Sequence, residues 1–469
     1  MTSSDGLASA LASRLRTLWG TEVEVCGVRP LPGGASRESW DVRVRTPGDA
    51  HLPVAERRLV LLRDAGRRAA APDKNVAVEA AAMTAARTAG VPVAEIYDYG
   101  EGALGQAYLL MERLDGETIP RRLLRDEAYA AVRPHLARRL GEVLARIHQV
   151  DPDSVPGLPV LDALTQVTGL YQAFGEPRPA LEIGLRWLAA HQPDPAPDTL
   201  VHGDFRTGNL MVGEDGLRGV LDWELTHRGD PRQDLGWLCT KAWRFGSASP
   251  VGGFGSRADL MAGYAAAGGT PPDEETQRWW ELYGTVRWAL LCRRQAERYL
   301  AEDDPSIELA VLGRRVCEQE YDILLALGHA APVTVADPLE NPDNVVTQPA
   351  PPHDRPSGPE LLRAVREFLT TEARSGAGPD GTDPRLRFHA RVAANALRIA
   401  EREAMLAAGH ERRHRARLAA LGCADDAALC AAIRDGSLDH RFGEVTDAVR
   451  AATVDKLTVA NPGHLALPG

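Results

Sequence analysis

The chain has 469 residues and a formal net charge of −11, with 44 % hydrophobic and 25 % charged residues. That length predicts two or three domains with material for buried cores, and the near-average composition excludes wholesale disorder. A chain this acidic is a poor general binder of nucleic acid or anionic membrane.

In chain order, Met1 to Leu11 lacks the basic-then-apolar pattern of a secretory signal. Val23 to Leu62 reads as strands and turns: a glycine turn in Leu31-Pro-Gly-Gly-Ala-Ser-Arg-Glu-Ser-Trp40, the alternating Trp40, Val42 and Val44, then the apolar run Leu59 to Leu62. Asn75 to Ala89 reads as a helix closed by Gly90 and Pro92. Two short strands follow, Glu95–Tyr99 and Ala107–Met111, completing a β-β-α-β-β succession of the kind found in a small α+β lobe. After Gly116 the pattern turns helical, with a stripe at Leu136, Leu140, Val143, Leu144 and Ile147. Helical patterns resume from Asp234 to about Gly328. Ala331 to Pro359 is proline-rich and reads as a linker. Beyond it, Leu361 to Leu369 and the series Phe388, Val392, Asn395, Ile399 predict further helices, with Asn395 in a buried inter-helix hydrogen bond. The charge is −13 before Arg355 and +2 from there onward, so the acidity belongs to the first module.

Only three basic residues are lysines, Lys74, Lys241 and Lys456. Six scattered cysteines form no Cys-x-x-Cys pair, which suits neither a zinc site nor a dense disulfide framework. No apolar run reaches the roughly 18 residues needed to cross a membrane. The expectation is a reduced, soluble, cytoplasmic protein.

The stretch that carries chemistry is Val201-His-Gly-Asp-Phe-Arg-Thr-Gly-Asn-Leu-Met-Val212, followed by Val220-Leu-Asp-Trp-Glu224. Leu210–Val212 and Gly219–Leu221 predict a hairpin around Gly213–Gly216 that returns Asp222 beside Asp204 and Asn209. Two carboxylates and an amide then converge, as phosphoryl transfer from ATP requires. One carboxylate orients the acceptor hydroxyl and takes its proton; the other, with an amide oxygen, holds magnesium beside the phosphates. Asp204 takes the first role, and Asn209 and Asp222 the second.

These residues resemble the aminoglycoside phosphotransferase family, which includes choline-kinase-like and related small-molecule kinases. His202-Gly-Asp-x-x-x-x-Asn209 is similar to its catalytic loop, Leu221-Asp-Trp-Glu224 to its metal-binding segment, and Gly229-Asp-Pro-x-x-Asp-Leu-Gly236 to the stretch that follows. The resemblance covers roughly residues 20 to 330. It implies a bilobal protein-kinase-like α+β fold with a small β-rich N-lobe and a larger, mostly helical C-lobe. It also implies an ATP- and Mg-dependent transfer to a small-molecule hydroxyl, with GTP not excluded as donor. His202, Arg206, Glu224, Asp230 and Asp234 stand as supporting residues. His202 is expected to orient the catalytic loop, and Asp230 and Asp234 to cap the next helix or brace the loop.

In the same family frame, Gly33, Gly34 and Ser36 sit where a glycine loop covers the phosphates, and Glu79 matches the glutamate that pairs the phosphate-binding lysine. That lysine has no counterpart here, and Arg63 is the candidate for its place; Leu62 in the inward position would impair ATP binding. Ala107 to Arg113 looks like the hinge, where the adenine would hydrogen-bond to backbone groups near Glu112 and Arg113 and pack on Leu110 or Met111. The segments Arg355-Pro-Ser, Leu361–Leu369, Phe388–Leu397 and Lys456-Leu-x-Val-Ala-Asn-Pro462 resemble an all-α domain of unknown function found beside such phosphotransferases. The expected organisation is N-lobe 20–114, C-lobe 115–330, linker 331–359 and helical accessory domain 360–469. The acceptor is open between an aminoglycoside-like compound and a hydroxyacyl metabolite, and a homodimer is also open. The alternative is a catalytically weak nucleotide-binding scaffold acting through the helical domain.

Overall fold

In the computed structural model, residues 4–31, 37–47, 55–64, 75–102, 104–340, 361, 364, 365, 368 and 384–468 are described. The fold is α+β, with a β-rich N-terminal portion, a mostly helical portion after it and further helices at the C-terminus. Contacts divide it into two compact units. The first holds residues Met1–Leu161, Pro195–Cys239 and Trp243–Pro272. The second holds Asp162–Asp194, Thr240–Ala242 and Asp273–Gly469.

The first unit opens with α1 (Ser4–Trp19), an element outside the sequence reading. Five strands follow where the pattern marked four: β1 (Glu24–Leu31), β2 (Arg37–Thr46), β3 (Ala55–Asp64), β4 (Ile96–Glu101) and β5 (Ala107–Glu112). They form one antiparallel sheet in the order β1-β2-β3-β5-β4. Strand side chains alternate between faces, and both faces are covered. On one, Val42, Val44, Leu59, Leu61, Tyr108 and Leu110 pack against Leu7, Leu11 and Leu15, the i, i+4, i+8 stripe of α1. On the other, Val60, Leu62, Leu109 and Met111 join the core containing α2 (Val76–Thr88). The Asn75 side chain caps α2, accepting from the amides of Ala77 at 2.9 Å and Val78 at 3.4 Å. This local exchange satisfies donors that a helix start leaves without partners.

Helices α3 (Pro120–Arg125) and α4 (Arg133–His148) lead into the part that carries the loops. The predicted α4 stripe is buried throughout. Its Gly141 lies under a neighbouring backbone: an added Cβ would stand 2.0 Å from the Leu260 carbonyl oxygen.

The second unit contains α5 (Ala163–Phe174) and α6 (Pro179–Ala190). The first unit then supplies β6 (Thr199–Val201), β7 (Leu210–Gly213), β8 (Gly216–Val220), β9 (His227–Gly229), α7 (Arg232–Cys239) and α8 (Arg257–Ala266). The remaining helices belong to the second unit: α9 (Glu274–Leu300), α10 (Ile307–Leu312), α11 (Val316–Ala326), α12 (Pro384–Ala420), α13 (Asp426–Asp435) and α14 (Phe442–Ala460). Helix α11 presents Glu318, Glu320 and Asp322, all buried. Asn461 donates to Glu318 at 2.9 Å, Lys456 to Glu320 at 2.8 Å, and His464 bonds Asp322 at 2.9 Å. The C-terminal Lys-Leu-x-Val-Ala-Asn-Pro segment, with His464 just beyond it, thus partners a row of buried carboxylates that would otherwise be costly.

One helix departs from expectation. Ala393, Ala396, Ile399 and Ala400 form the buried face of α12, and Asn395 is exposed rather than in a buried hydrogen bond. Neighbouring positions on a helix are about 100° apart, so the small alanines, invisible to a stripe built on large residues, set the rotation. Leu361, Ala364, Val365 and Phe368 are helical and buried, as expected. The linker expected at 331–359 lies outside the described residues from 341 onward. All six cysteines are free. Among the described residues no helix is long and apolar enough to cross a membrane.

Candidate active site

The loop leaving β6 turns at Gly203, whose φ of +79° is left-handed. A Cβ there would stand 2.3 Å from the Leu225 carbonyl oxygen, so both conformation and space require glycine. The turn is held from beneath by Asp234 of α7. Its two carboxylate oxygens accept from the amides of His202 at 2.8 Å and Gly203 at 2.9 Å. Burial alone would raise Asp234, but the hydrogen bond and charge of His148, with those from His202, hold its pKa below the ordinary value. His202 is fully buried; its Nδ1 accepts from the Asp204 amide at 3.1 Å, which assigns the ring hydrogen to Nε2, facing the Leu221 carbonyl at 3.1 Å. Burial lowers its pKa, so the ring stays neutral and ties the two loops together. Asp230 accepts from the amide and guanidinium of Arg232 and starts α7.

Three side chains converge on the Asp204 carboxylate. Asn209 donates at 2.7 Å, Trp237 at 2.9 Å and Arg206 Nε at 3.0 Å. Arg206 in turn lies over the Trp243 ring at 4.5 Å. The second hydrogen of the Asn209 amide goes to the Asp204 carbonyl at 3.0 Å, so Oδ1 is the atom of this side chain that could accept or ligate. Trp237 and Trp243 were not marked in the sequence; a Trp three residues after Asp234 on a helix reads as ordinary core.

The β7–β8 hairpin forms with the expected turn, pairing Leu210 with Val220 and Gly213 with Gly216. As β8 ends, the Leu221 amide donates to the Asn209 carbonyl at 2.8 Å, and the next residue is Asp222. Its φ of +64° is a strained conformation for a residue with a side chain. Solvent reaches Asp222, but the residue lies deep in a recess of protein atoms. That lost solvation, then the carboxylates of Glu224, Asp204 and Glu79, pushes its pKa up to about 8. The hairpin therefore brings Asp204, Asn209, Asp222 and Glu224 to one place.

Glu79 meets a different cation from the one expected. Arg63 pairs across the ladder with Glu38 and Tyr108, on the face that packs against α1. There it donates to Glu38 at 2.8 Å and bonds the Leu104 carbonyl at 3.5 Å. It does not meet Glu79. Period-two alternation gives the opposite face to Leu62, which packs into the core beside α2. Glu79 pairs instead with Arg37, the first residue of β2, at 2.5 Å; Arg37 also donates to Asp64 at 3.2 Å. Burial works against the Arg37 charge, but Glu79, Glu224 and Asp64 outweigh it. Gly33, Gly34 and Ser36 lie outside the described residues.

At the expected hinge, Met111 faces the inner core, whereas Leu110 points to the α1 side. The amides of Glu112 and Arg113 donate to the carbonyls of Glu95 at 2.8 Å and Arg58 at 3.0 Å. Both are committed to the sheet and cannot serve as donors to a base. The Arg113 side chain binds Asp41 at 2.6 Å.

Among the described residues no three or more His, Cys, Asp or Glu side chains are arranged to hold a metal by themselves. Magnesium fits the residues present on other terms: hard oxygen atoms at Asp222 and Asn209, and crowded carboxylates short of positive charge.

Two family models match the chain, "Phosphotransferase enzyme family" over residues 27–280 and "Domain of unknown function (DUF6285)" over residues 380–464. Acyl-CoA dehydrogenase family member 10 of Mus musculus is 30 % identical over 217 residues, which is 43 % of this chain and 20 % of that protein. Acyl-CoA dehydrogenase family member 11 of Gallus gallus is 30 % identical over 166 residues, 32 % and 21 % of the two chains. The matches thus span about a fifth of these relatives. Among solved structures, macrolide 2'-phosphotransferase of Brachybacterium faecium is 21 % identical with a TM-score of 0.42, covering 63 % of this chain and 94 % of that one.

Proposed function

The chain belongs to the phosphotransferase enzyme family, and from that premise we propose that it is an ATP- and Mg-dependent kinase acting on a small-molecule hydroxyl. The observation that carries the proposal is the convergence of Asp204, Asn209 and Asp222, two of them linked directly at 2.7 Å. Magnesium and ATP, when bound, supply the phosphoryl group and neutralise its charge. Asp222 and Asn209 Oδ1 would hold the metal. Asp204, its rotation restricted by Arg206, Asn209 and Trp237, aligns the acceptor hydroxyl and takes its proton as the oxygen attacks. His202 and Asp234 keep the loop in the geometry this requires.

Two acceptor classes fit this reading. The names of the acyl-CoA dehydrogenase relatives favour a hydroxyacyl metabolite; the acidity of the first module suits a polycation such as an aminoglycoside. A second reading, a nucleotide-binding scaffold with weak catalysis, is favoured by Leu62 at the inward position of β3. Calorimetric titration with Mg-ATP, followed by a transfer assay over both acceptor classes, separates them. The kinase reading expects Asp204→Asn to lower turnover roughly 10²- to 10⁴-fold, with nucleotide affinity within a few-fold of wild type. Full activity in that variant removes the assignment, and Mg-ATP binding without transfer to any acceptor favours the scaffold.

A further inference from the structure

We propose that Arg37, at the start of β2, is the cation that grips the phosphates of the nucleotide, the role first expected of β3; this rests on the phosphotransferase reading above. The β2–β3 register decides which side chains face the site. Arg37 pairs with Asp64, Ser39 with Leu62 and Asp41 with Val60 on one face, while Glu38 pairs with Arg63 on the other. The inward β3 position is therefore apolar, and the nearest β3 cation is turned behind the sheet and bound to Glu38. The same register leaves Arg37, Arg43, Arg45 and Arg58 on the inner face, and of these it is Arg37 that pairs with Glu79 of α2, at 2.5 Å.

Its surroundings match a phosphate grip. Glu79 is buried and holds one guanidinium nitrogen, whereas Asp64, more exposed and at 3.2 Å, holds another more loosely. Nη2 makes no hydrogen bond to a described residue. The charges of Glu79 and Glu224 act on Asp222 and that of Glu224 on Arg37, so this ion pair borders the acidic cluster. In sequence Arg37 directly follows Gly33-Gly34-Ala-Ser36. A guanidinium is a planar fork that binds a phosphate through two nitrogens and stays charged when buried. Glu79 keeps it aimed, and a phosphate oxygen replaces Asp64 as its outer partner.

The test is calorimetric titration of the full chain with Mg-ATP, and with adenosine by competition. Arg37→Met is expected to weaken Mg-ATP roughly 10- to 100-fold, the value of charge-assisted hydrogen bonds, and to leave adenosine within about twofold. Because that change strips buried Glu79 of a partner, Arg37→Met/Glu79→Gln is measured beside it and is expected to show the same phosphate-specific loss in a folded protein. Unchanged Mg-ATP affinity in the folded double variant overturns the inference alone. So does a loss produced by Arg63→Ala and not by the Arg37 variants. A wild type that binds no Mg-ATP overturns the phosphotransferase reading and this inference with it.

Discussion

Replacing Asp222 by Asn is expected to stabilise the nucleotide-free protein, and to do so more as pH rises. Asparagine tolerates the left-handed conformation found at this position, so the change removes charge and little else. The folded protein raises the carboxyl from 3.8 to about 8. Between those values the native state binds a proton that the unfolded chain has released, so wild-type stability falls as pH climbs from 4 to 8. The rise from 3.8 to about 8 corresponds to a ceiling of roughly 5.7 kcal/mol. Water reaches the recess and screens the charges, so about 1.5–3 kcal/mol is expected above pH 8, falling towards zero near pH 4. Thermal denaturation of both proteins at pH 5, 6.5 and 8 measures it. Magnesium and ATP should offset this gain: a ligand at 100 times its dissociation constant adds about 2.7 kcal/mol to wild type, while the variant offers the metal a neutral amide in place of a carboxylate. A variant no more stable than wild type, or a gain independent of pH, would refute the electrostatic account of this residue.

Other outcomes follow from single contacts. Gly203→Ala forces a Cβ against the Leu225 carbonyl at a left-handed position; a loss of about 2–4 kcal/mol is expected, read by chemical denaturation, with turnover falling because the catalytic loop moves. Arg314 and Glu403 form a buried pair at 2.9 Å that ties the segment before α11 to α12. Arg314→Met should cost about 3–5 kcal/mol, and adding Glu403→Leu should recover most of it; a double variant as unstable as the single one would contradict this. His410 is buried, and although Asp455 favours its charged form, desolvation pushes its pKa down to about 4. The unfolded ring takes up its proton first as pH falls through 6.5, so stability should drop by about 2 kcal/mol between pH 7 and 5. His410→Gln should remove that part of the acid sensitivity, and an unchanged pH profile would exclude His410 as its source.

The legible parts of this protein are those whose causes lie within a few residues. A turn of Gly213-Glu-Asp-Gly216 between two apolar runs specifies the β7–β8 hairpin, and that hairpin is what returns Asp222 towards Asn209. Asn75 before an alanine-rich stretch specifies where α2 begins, and the i, i+4 series from Leu136 specifies the buried face of α4. The stripe Leu7, Leu11, Leu15 of α1 was present in the sequence as well, but without its sheet it is only three leucines. The side on which Arg63 falls depends on that helix. Covering Val42, Val44, Leu59 and Leu61 with α1 fixes one face of the sheet, and with a period of two residues it assigns Arg63 to that face and Leu62 to the other. A shift of one residue would have exchanged them, and nothing within β3 itself decides between the two. The same holds for the ion pair of Arg37 with Glu79, which joins residues 42 apart, and for the carboxylates of α11, which look like a solvated helix face until α14 covers them. Local chemistry names the candidate groups in the sequence; which cation pairs with Glu79 is set by packing against elements distant along the chain.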